Sequence, residues 1–160
     1  ALRFEYGPRG KPTLAPPHTG LRFNVSHSRD LALIAISDGH ELGVDVEAVR
    51  DETEVAAIAA RFFSAAERTA LAALPEPQRV PAFFTIWTRK GACVKLAGGG
   101  LHVPLDSFDV SLDEPARLLR ADGGFGLTAQ VALRTVDVPP GFRAALAVDG
   151  APASLRTVVL

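Results

Sequence analysis

The sequence predicts an α+β fold in which an antiparallel sheet packs against helices. Residues 21–48 alternate apolar and polar side chains in the period of strands. Residues 52–97 are alanine-rich and repeat apolar side chains at helical spacing, whereas residues 107–160 break into short apolar stretches punctuated by Gly and Pro.

In chain order, residues 7–20 are dense in glycine and proline and cannot hold a helix, so they read as an extended linker. Leu21 to Ser26, Leu31 to Ser37 and Leu42 to Ala48 follow as strands, with Asp38-Gly39 as a turn signal, and are expected to be neighbours in one sheet. Glu52 to Leu74 predicts two helical pieces broken near Phe63, where Ser64 followed by Glu67 has the spacing of a capping box. Pro75 and Pro77 end that stretch. A third and longest helix is expected from about Pro81 to Ala97, carrying Phe83, Phe84, Trp87 and Val94 and stopped by Gly98-Gly99-Gly100. Beyond Ser107, Asp122-Gly123-Gly124, Pro139-Pro140-Gly141 and Asp149-Gly150 mark turns between short strands reaching toward Leu160.

At 160 residues and 48% hydrophobic, the chain can bury a core of its own. Seventeen basic against eighteen acidic residues leave a net charge of -1. That balance gives no general attraction for nucleic acid or an anionic membrane, so phosphate binding must be local. No stretch approaches the roughly 20 apolar residues that span a bilayer, and no leader opens the sequence, which predicts a cytoplasmic protein. The lone Cys93 rules out an internal disulfide and reads as a small buried hydrophobe. Asn24-Val25-Ser26 has the spacing of a glycosylation acceptor, a coincidence in this setting. Methionine is absent, which predicts a fragment or a processed chain. Lysine occurs only at positions 11, 90 and 95, against fourteen arginines. A chain that so prefers arginine is expected to keep lysine where a compact ammonium is wanted.

Strand periodicity puts Asp45 and Glu47 on one face, with Val44 and Val46 on the other. Two carboxylates so placed repel unless a cation lies between them, and a hard all-oxygen pair suits magnesium. A bare Asp-x-Glu is, however, more often a solvated strand face. Phe23-Asn24-Val25-Ser26-His27-Ser28 gathers small donors and an imidazole able to bind phosphate oxygens. A Ser-His-Asp hydrolase does not fit, because Ser26 and His27 point to opposite faces and there is no Gly-x-Ser-x-Gly elbow. Trp87, Gly91 and Lys95 share a helix face with Lys90 beside them. A glycine inside a helix costs about 1 kcal/mol relative to alanine, so Gly91 breaks a local rule. Lysines on an isolated helix are otherwise solubility charge.

Taken in order, Gly10-Lys11-Pro12, Phe23 to Ser28, Gly43 to Glu47, Phe62-Phe63-Ser64-Ala65-Ala66-Glu67, Trp87 to Lys95 and the Gly-rich then Pro-Leu-Asp-Ser-Phe stretch at 98–108 resemble the surfactin-type (Sfp-like) 4'-phosphopantetheinyl transferases. The resemblance covers roughly residues 10–110. It implies a two-lobe pseudo-symmetric fold with coenzyme A between the lobes, of which this chain has the C-terminal lobe at 21–160. Residues 1–20 would then be the inter-lobe linker and a remnant of the first lobe.

By the same resemblance the reaction is Mg2+-dependent transfer of 4'-phosphopantetheine from coenzyme A to a serine of an acyl or peptidyl carrier protein. Lys11, Ser26, His27, Lys90 and Lys95 would contact coenzyme A, Asp45 and Glu47 would hold the magnesium, and Lys95, Glu47 and Asp45 would be catalytic. Such chemistry works by positioning and by stabilising charge on the leaving bisphosphate. The sequence departs from the family pattern at Gly91, where Lys-Glu is usual and the glutamate completes the metal site and is proposed to help deprotonate the serine. Loss of a general base alone typically costs about 10²–10⁴-fold in rate. The alternative is a catalytically impaired module that keeps coenzyme A or carrier-protein binding.

Overall fold

The computed structural model describes residues 1–51, 54–122, 124–150 and 154–158. Nine strands and three α-helices are described, in the order β1 (Phe4–Tyr6), β2 (Pro12–Leu14), β3 (Leu21–Ser28), β4 (Leu31–Asp38), β5 (Leu42–Ala48), α1 (Val55–Phe62), α2 (Ala65–Ala72), α3 (Glu76–Ala97), β6 (Phe108–Val110), β7 (Leu118–Ala121), β8 (Val131–Thr135) and β9 (Phe142–Asp149). Antiparallel strands and packed helices make this the expected α+β class.

The expected linker is partly structured. β1 and β2 pair as a small hairpin, Phe4 opposite Leu14, and the Phe4 ring meets Phe23 of β3 at 5.6 Å. Proline is tolerated at the first position of β2 because an edge strand can forgo that N–H.

β3 and β4 form the expected hairpin, in register from Leu21↔Asp38 to Ser28↔Leu31. β5 does not join them through its backbone. Its partner is β9, from Leu42↔Val148 to Ala48↔Phe142, and β9 in turn pairs with β8. The correction has a local cause. An antiparallel strand directs alternate N–H groups to opposite edges, and on the edge away from β9 the amides of Val44, Val46 and Ala48 are taken by side chains of β3: Asn24 Oδ1 at 2.9 Å, Ser26 Oγ at 3.2 Å and Ser28 Oγ at 3.0 Å. Three polar side chains two residues apart replace the carbonyl ladder of a neighbouring strand. Asn24 is thereby buried, in agreement with its glycosylation spacing being coincidental.

The helical stretch breaks at Phe63 as its sequence requires, and the capping box closes both ways: Ser64 N donates to Glu67 Oε2 at 3.0 Å and Glu67 N to Ser64 Oγ at 3.2 Å. The expected start at Glu52 lies outside the described residues. α3 begins at Glu76, five residues before the predicted start. Pro75 caps it and Pro77 sits in its first turn, where a missing N–H costs nothing, so these prolines open a helix as well as closing the previous one. Gly98 ends α3 in the left-handed region, φ 63°. The C-terminal part supplies β6 to β9 as short strands, although Gly123 of one turn signal and Leu160 fall outside the described residues.

α3 lies across β5 and β9. Ala92, Cys93, Ala145 and Ala147 are completely buried there. The approach is close because β5 carries Gly43: a β-carbon at that position would stand 2.8 Å from the Lys95 carbonyl carbon, too near for any side chain. This contact sets how α3 lies over Asp45. A second apolar cluster of Leu42, Val44, Leu146 and Val148 is covered by Leu33 and Ala35 of β4. Val25, Ile34 and Ile36 on the outer side of the hairpin are exposed.

Candidate functional site

The meeting of β3, β5 and α3 brings Ser26, Asp45 and Lys95 together. Lys95 Nζ donates to Asp45 Oδ1 at 2.7 Å and to Ser26 Oγ at 2.8 Å, and Ser26 Oγ in turn donates to the same Asp45 oxygen at 3.1 Å. Asp45 is 7% exposed. Burial pushes its carboxyl above the ordinary value of 3.8, while the charge and hydrogen bond of Lys95 and the Ser26 hydroxyl draw it back. Lys95 reaches the cluster from a half-buried position, its side chain 32% exposed, so its ammonium has a path to solvent.

Glu47, two residues along β5, accepts from Ser28 Oγ at 3.0 Å, with Arg50 Nη2 at 4.0 Å. Ser26 and Ser28 thus do the same two things in turn, each accepting a β5 amide and donating to a β5 carboxylate. Among the described residues no group of three or more His, Cys, Asp and Glu is gathered to hold a metal.

Gly91 faces Asp45 across this cluster. A β-carbon built on it would come 2.7 Å from Asp45 Cγ and closer still to Oδ2. The Asp45 carboxylate therefore lies in the volume that a side chain at position 91 would use.

Other expected coenzyme A contacts are placed elsewhere. Lys90 points away from Asp45 to the opposite side of α3, where it is enclosed: Nζ lies 2.9 Å from Glu67 Oε1, donates to the carbonyl oxygens of Leu105 and Phe108 at 2.5 and 2.6 Å, and stands 4.2 Å from the Phe108 ring centre. All its protons are engaged within the chain, although Lys90 was expected to contact coenzyme A; residues adjacent on a helix are about 100° apart, so Lys90 and Gly91 meet different surroundings. Lys11 Nζ donates to Glu41 Oε2 at 2.9 Å and to the carbonyls of Leu42 and Leu96, tying the β1–β2 hairpin to β5 and α3. His27 is exposed on the outer face of β3, opposite the Ser26 hydroxyl. The Ser26 hydroxyl is itself committed to Val46, Asp45 and Lys95. Each of the three lysines is thus paired with a carboxylate.

Sequence reasoning missed the part played by Glu67, which caps α2, pairs with Lys90 and accepts from Val110 N at 2.9 Å. It also missed Arg89, buried on α3 and donating to the Ser111 and Asp113 carbonyls at 2.6 and 2.9 Å, to Thr135 Oγ1 at 3.0 Å and to Glu114. The capping box was the one available signal for Glu67. Cys93 is buried as expected, its thiol pushed up to about 12 by desolvation. An apolar groove of about 530 Å³ between α2 and β6–β7 shares no lining residue with the Asp45 cluster.

The fold is that of phosphopantetheinyl transferases. The holo-[acyl-carrier-protein] synthase (AcpS) of Thermotoga maritima superposes with a TM-score of 0.54 at 18% identity, over 70% of this chain and 64% of that one. Residues 41–147 match the model of the 4'-phosphopantetheinyl transferase superfamily, and the chain belongs to that superfamily. The 4'-phosphopantetheinyl transferase HetI of Nostoc sp. is 38% identical over 124 residues, covering 75% of this chain and 52% of HetI. The 4'-phosphopantetheinyl transferase Sfp of Bacillus subtilis is 31% identical over 150 residues, 91% of this chain and 62% of Sfp. AcpT of Escherichia coli K12 is 40% identical over 94 residues, 59% of this chain and 48% of AcpT. The chain spans about half to three fifths of the length of these relatives.

Proposed function

We propose that this chain carries the transfer site of a 4'-phosphopantetheinyl transferase, which moves the phosphopantetheine arm of coenzyme A onto a carrier-protein serine. The observation that carries this reading is the juxtaposition of Asp45, Ser26 and Lys95 at 2.7–3.1 Å, within the matched region except for Ser26. The names of the relatives supply the reaction.

Asp45 and Glu47 are the residues that would hold magnesium, and they fit it in kind: both are hard oxygen donors on one strand, and magnesium is commonly held by one or two carboxylates while keeping several waters. When bound, the ion would supply positive charge to the phosphates of coenzyme A. The chain's own contribution is positional. β5 and β3 fix the two carboxylates through the Ser26 and Ser28 hydroxyls, and α3 delivers the Lys95 ammonium, which can offset charge developing on the departing bisphosphate. Desolvation around Asp45 strengthens each of these interactions.

A second reading, a coenzyme A or carrier-protein binding module of low activity, is favoured by one specific feature: Gly91 offers no third carboxylate, and Lys95 already occupies Asp45. Intact-mass measurement of an apo carrier protein incubated with coenzyme A, magnesium and the chain separates the two. Transfer is expected to give a mass gain of one phosphopantetheinyl group, abolished in Asp45→Ala. A gain that survives Asp45→Ala overturns the metal assignment, and carrier or coenzyme A binding without any gain supports the binding module.

A further inference from the structure

We propose that Lys95 competes with the divalent cation for Asp45, and that Gly91 is the residue that permits the competition. The proposal rests on the reading of Asp45 and Glu47 as cation ligands. Two independent pieces of geometry lead to it. Lys95 Nζ and Ser26 Oγ converge on one oxygen, Asp45 Oδ1, at 2.7 and 3.1 Å, so the ammonium sits where a cation would claim its strongest ligand. The rest of the Asp45 carboxylate lies in the space over Gly91, where a single added methyl would stand 2.7 Å from Cγ and force the group to move.

The absent side chain at position 91 is therefore coupled to the position of Asp45. With glycine there, the carboxylate can settle against α3 and meet the lysine one helical turn further on. With any side chain there, the carboxylate must move from that space and the ion pair must lengthen or break. A buried carboxylate left with no cation would be costly, and Lys95 meets that need from within the chain. The same ammonium is the one expected to meet the leaving phosphates, so it has two alternative partners. With a cation held at Asp45, Lys95 would be free to turn toward substrate, and without one it would pair with the carboxylate again. Gly91 and Lys95 are thus positioning residues for the cation, beyond any direct contact with coenzyme A.

The test is a double-mutant cycle read by Mn2+ binding rather than by activity, using electron paramagnetic resonance to count free Mn2+ in titrations of the wild-type chain, Lys95→Gln, Gly91→Ala and the double variant. Removing one positive charge at this range is expected to tighten Mn2+ binding by about tenfold or more in Lys95→Gln. Gly91→Ala changes no charge, yet by displacing Asp45 from the lysine it is expected to tighten binding as well. In the Lys95→Gln background the alanine then adds nothing, so the two effects are not additive. Affinity unchanged or weakened in Gly91→Ala, or equal increments from the alanine in both backgrounds, overturns the proposal while leaving the cation assignment standing. Absence of Mn2+ binding in all four chains, each folded by circular dichroism, overturns the cation assignment itself and the competition with it.

Discussion

Lys90 Nζ lies 2.9 Å from Glu67 Oε1, and neither side chain reaches solvent. This pair joins α3 to the first turn of α2, and the backbone of β6 completes it through Phe108 O and Val110 N. Burial lowers the lysine's affinity for its proton, and Glu67 opposes that shift. Removing one partner strands the other charge. Lys90→Met is expected to destabilise the fold by about 3–5 kcal/mol, and adding Glu67→Gln to recover part of the loss, because glutamine can still close the capping box. Urea unfolding of the two variants checks this. Equal loss in both would mean that the glutamate charge is not what the lysine neutralises.

The side-chain ladder from β3 to β5 makes a second prediction. Asn24→Ala leaves the Val44 amide buried without an acceptor and is expected to cost about 1–3 kcal/mol. The same experiment on Ser28, which is less buried, should cost less. Hydrogen exchange offers the local readout: the amide of Val44 should lose protection in Asn24→Ala while that of Asp45, paired across to β9, keeps it.

The ladder also shows where the sequence was and was not legible. The alternation in Leu21 to Ser26 identified β3 as a strand, and that in Leu42 to Ala48 identified β5. Nothing in either pattern says that the side chains of Asn24, Ser26 and Ser28 serve the backbone of the other strand, since short hydroxyls and amides are equally suited to phosphate, water or a capped amide. The Ser64–Glu67 spacing was readable because a capping box is local. The burial of Lys90 was not, because its partners Glu67, Leu105 and Phe108 are distant in sequence and a lysine one residue from Gly91 looks like a member of the same helix face. The sequence exposed Gly91 as a break in local preference but not that it admits Asp45, and it gave no sign that Gly43 admits α3. Asp45 and Lys95 are fifty residues apart, and no local pattern in the sequence says that they pair.

Acid stability supplies a third prediction. Two hydrogen bonds from Arg120, at 2.8 and 3.2 Å, hold the Asp109 carboxyl below its ordinary value of 3.8. A carboxylate whose folded value is depressed stabilises the fold above the unfolded value, and that contribution is lost as pH falls from 3.8 through the lower folded value. Wild-type unfolding free energy is expected to decline over that window more steeply than that of Asp109→Asn, which has no such proton to take up. Parallel curves for the two chains would remove Asp109 from the acid response.

The transfer assay is the most direct test of the central claim, that Asp45 and Lys95 mark a phosphopantetheinyl transfer site limited by the missing side chain at position 91. Gly91→Glu evicts Asp45 from its pair with Lys95 and supplies a third carboxylate in one step. Intact-mass kinetics with coenzyme A, magnesium and an apo carrier protein are expected to show transfer faster by about tenfold or more in Gly91→Glu than in the wild-type chain, against the roughly 10²–10⁴-fold a general base contributes, and none in either when magnesium is chelated. Transfer at equal rates in both chains, or transfer indifferent to chelation, would contradict it.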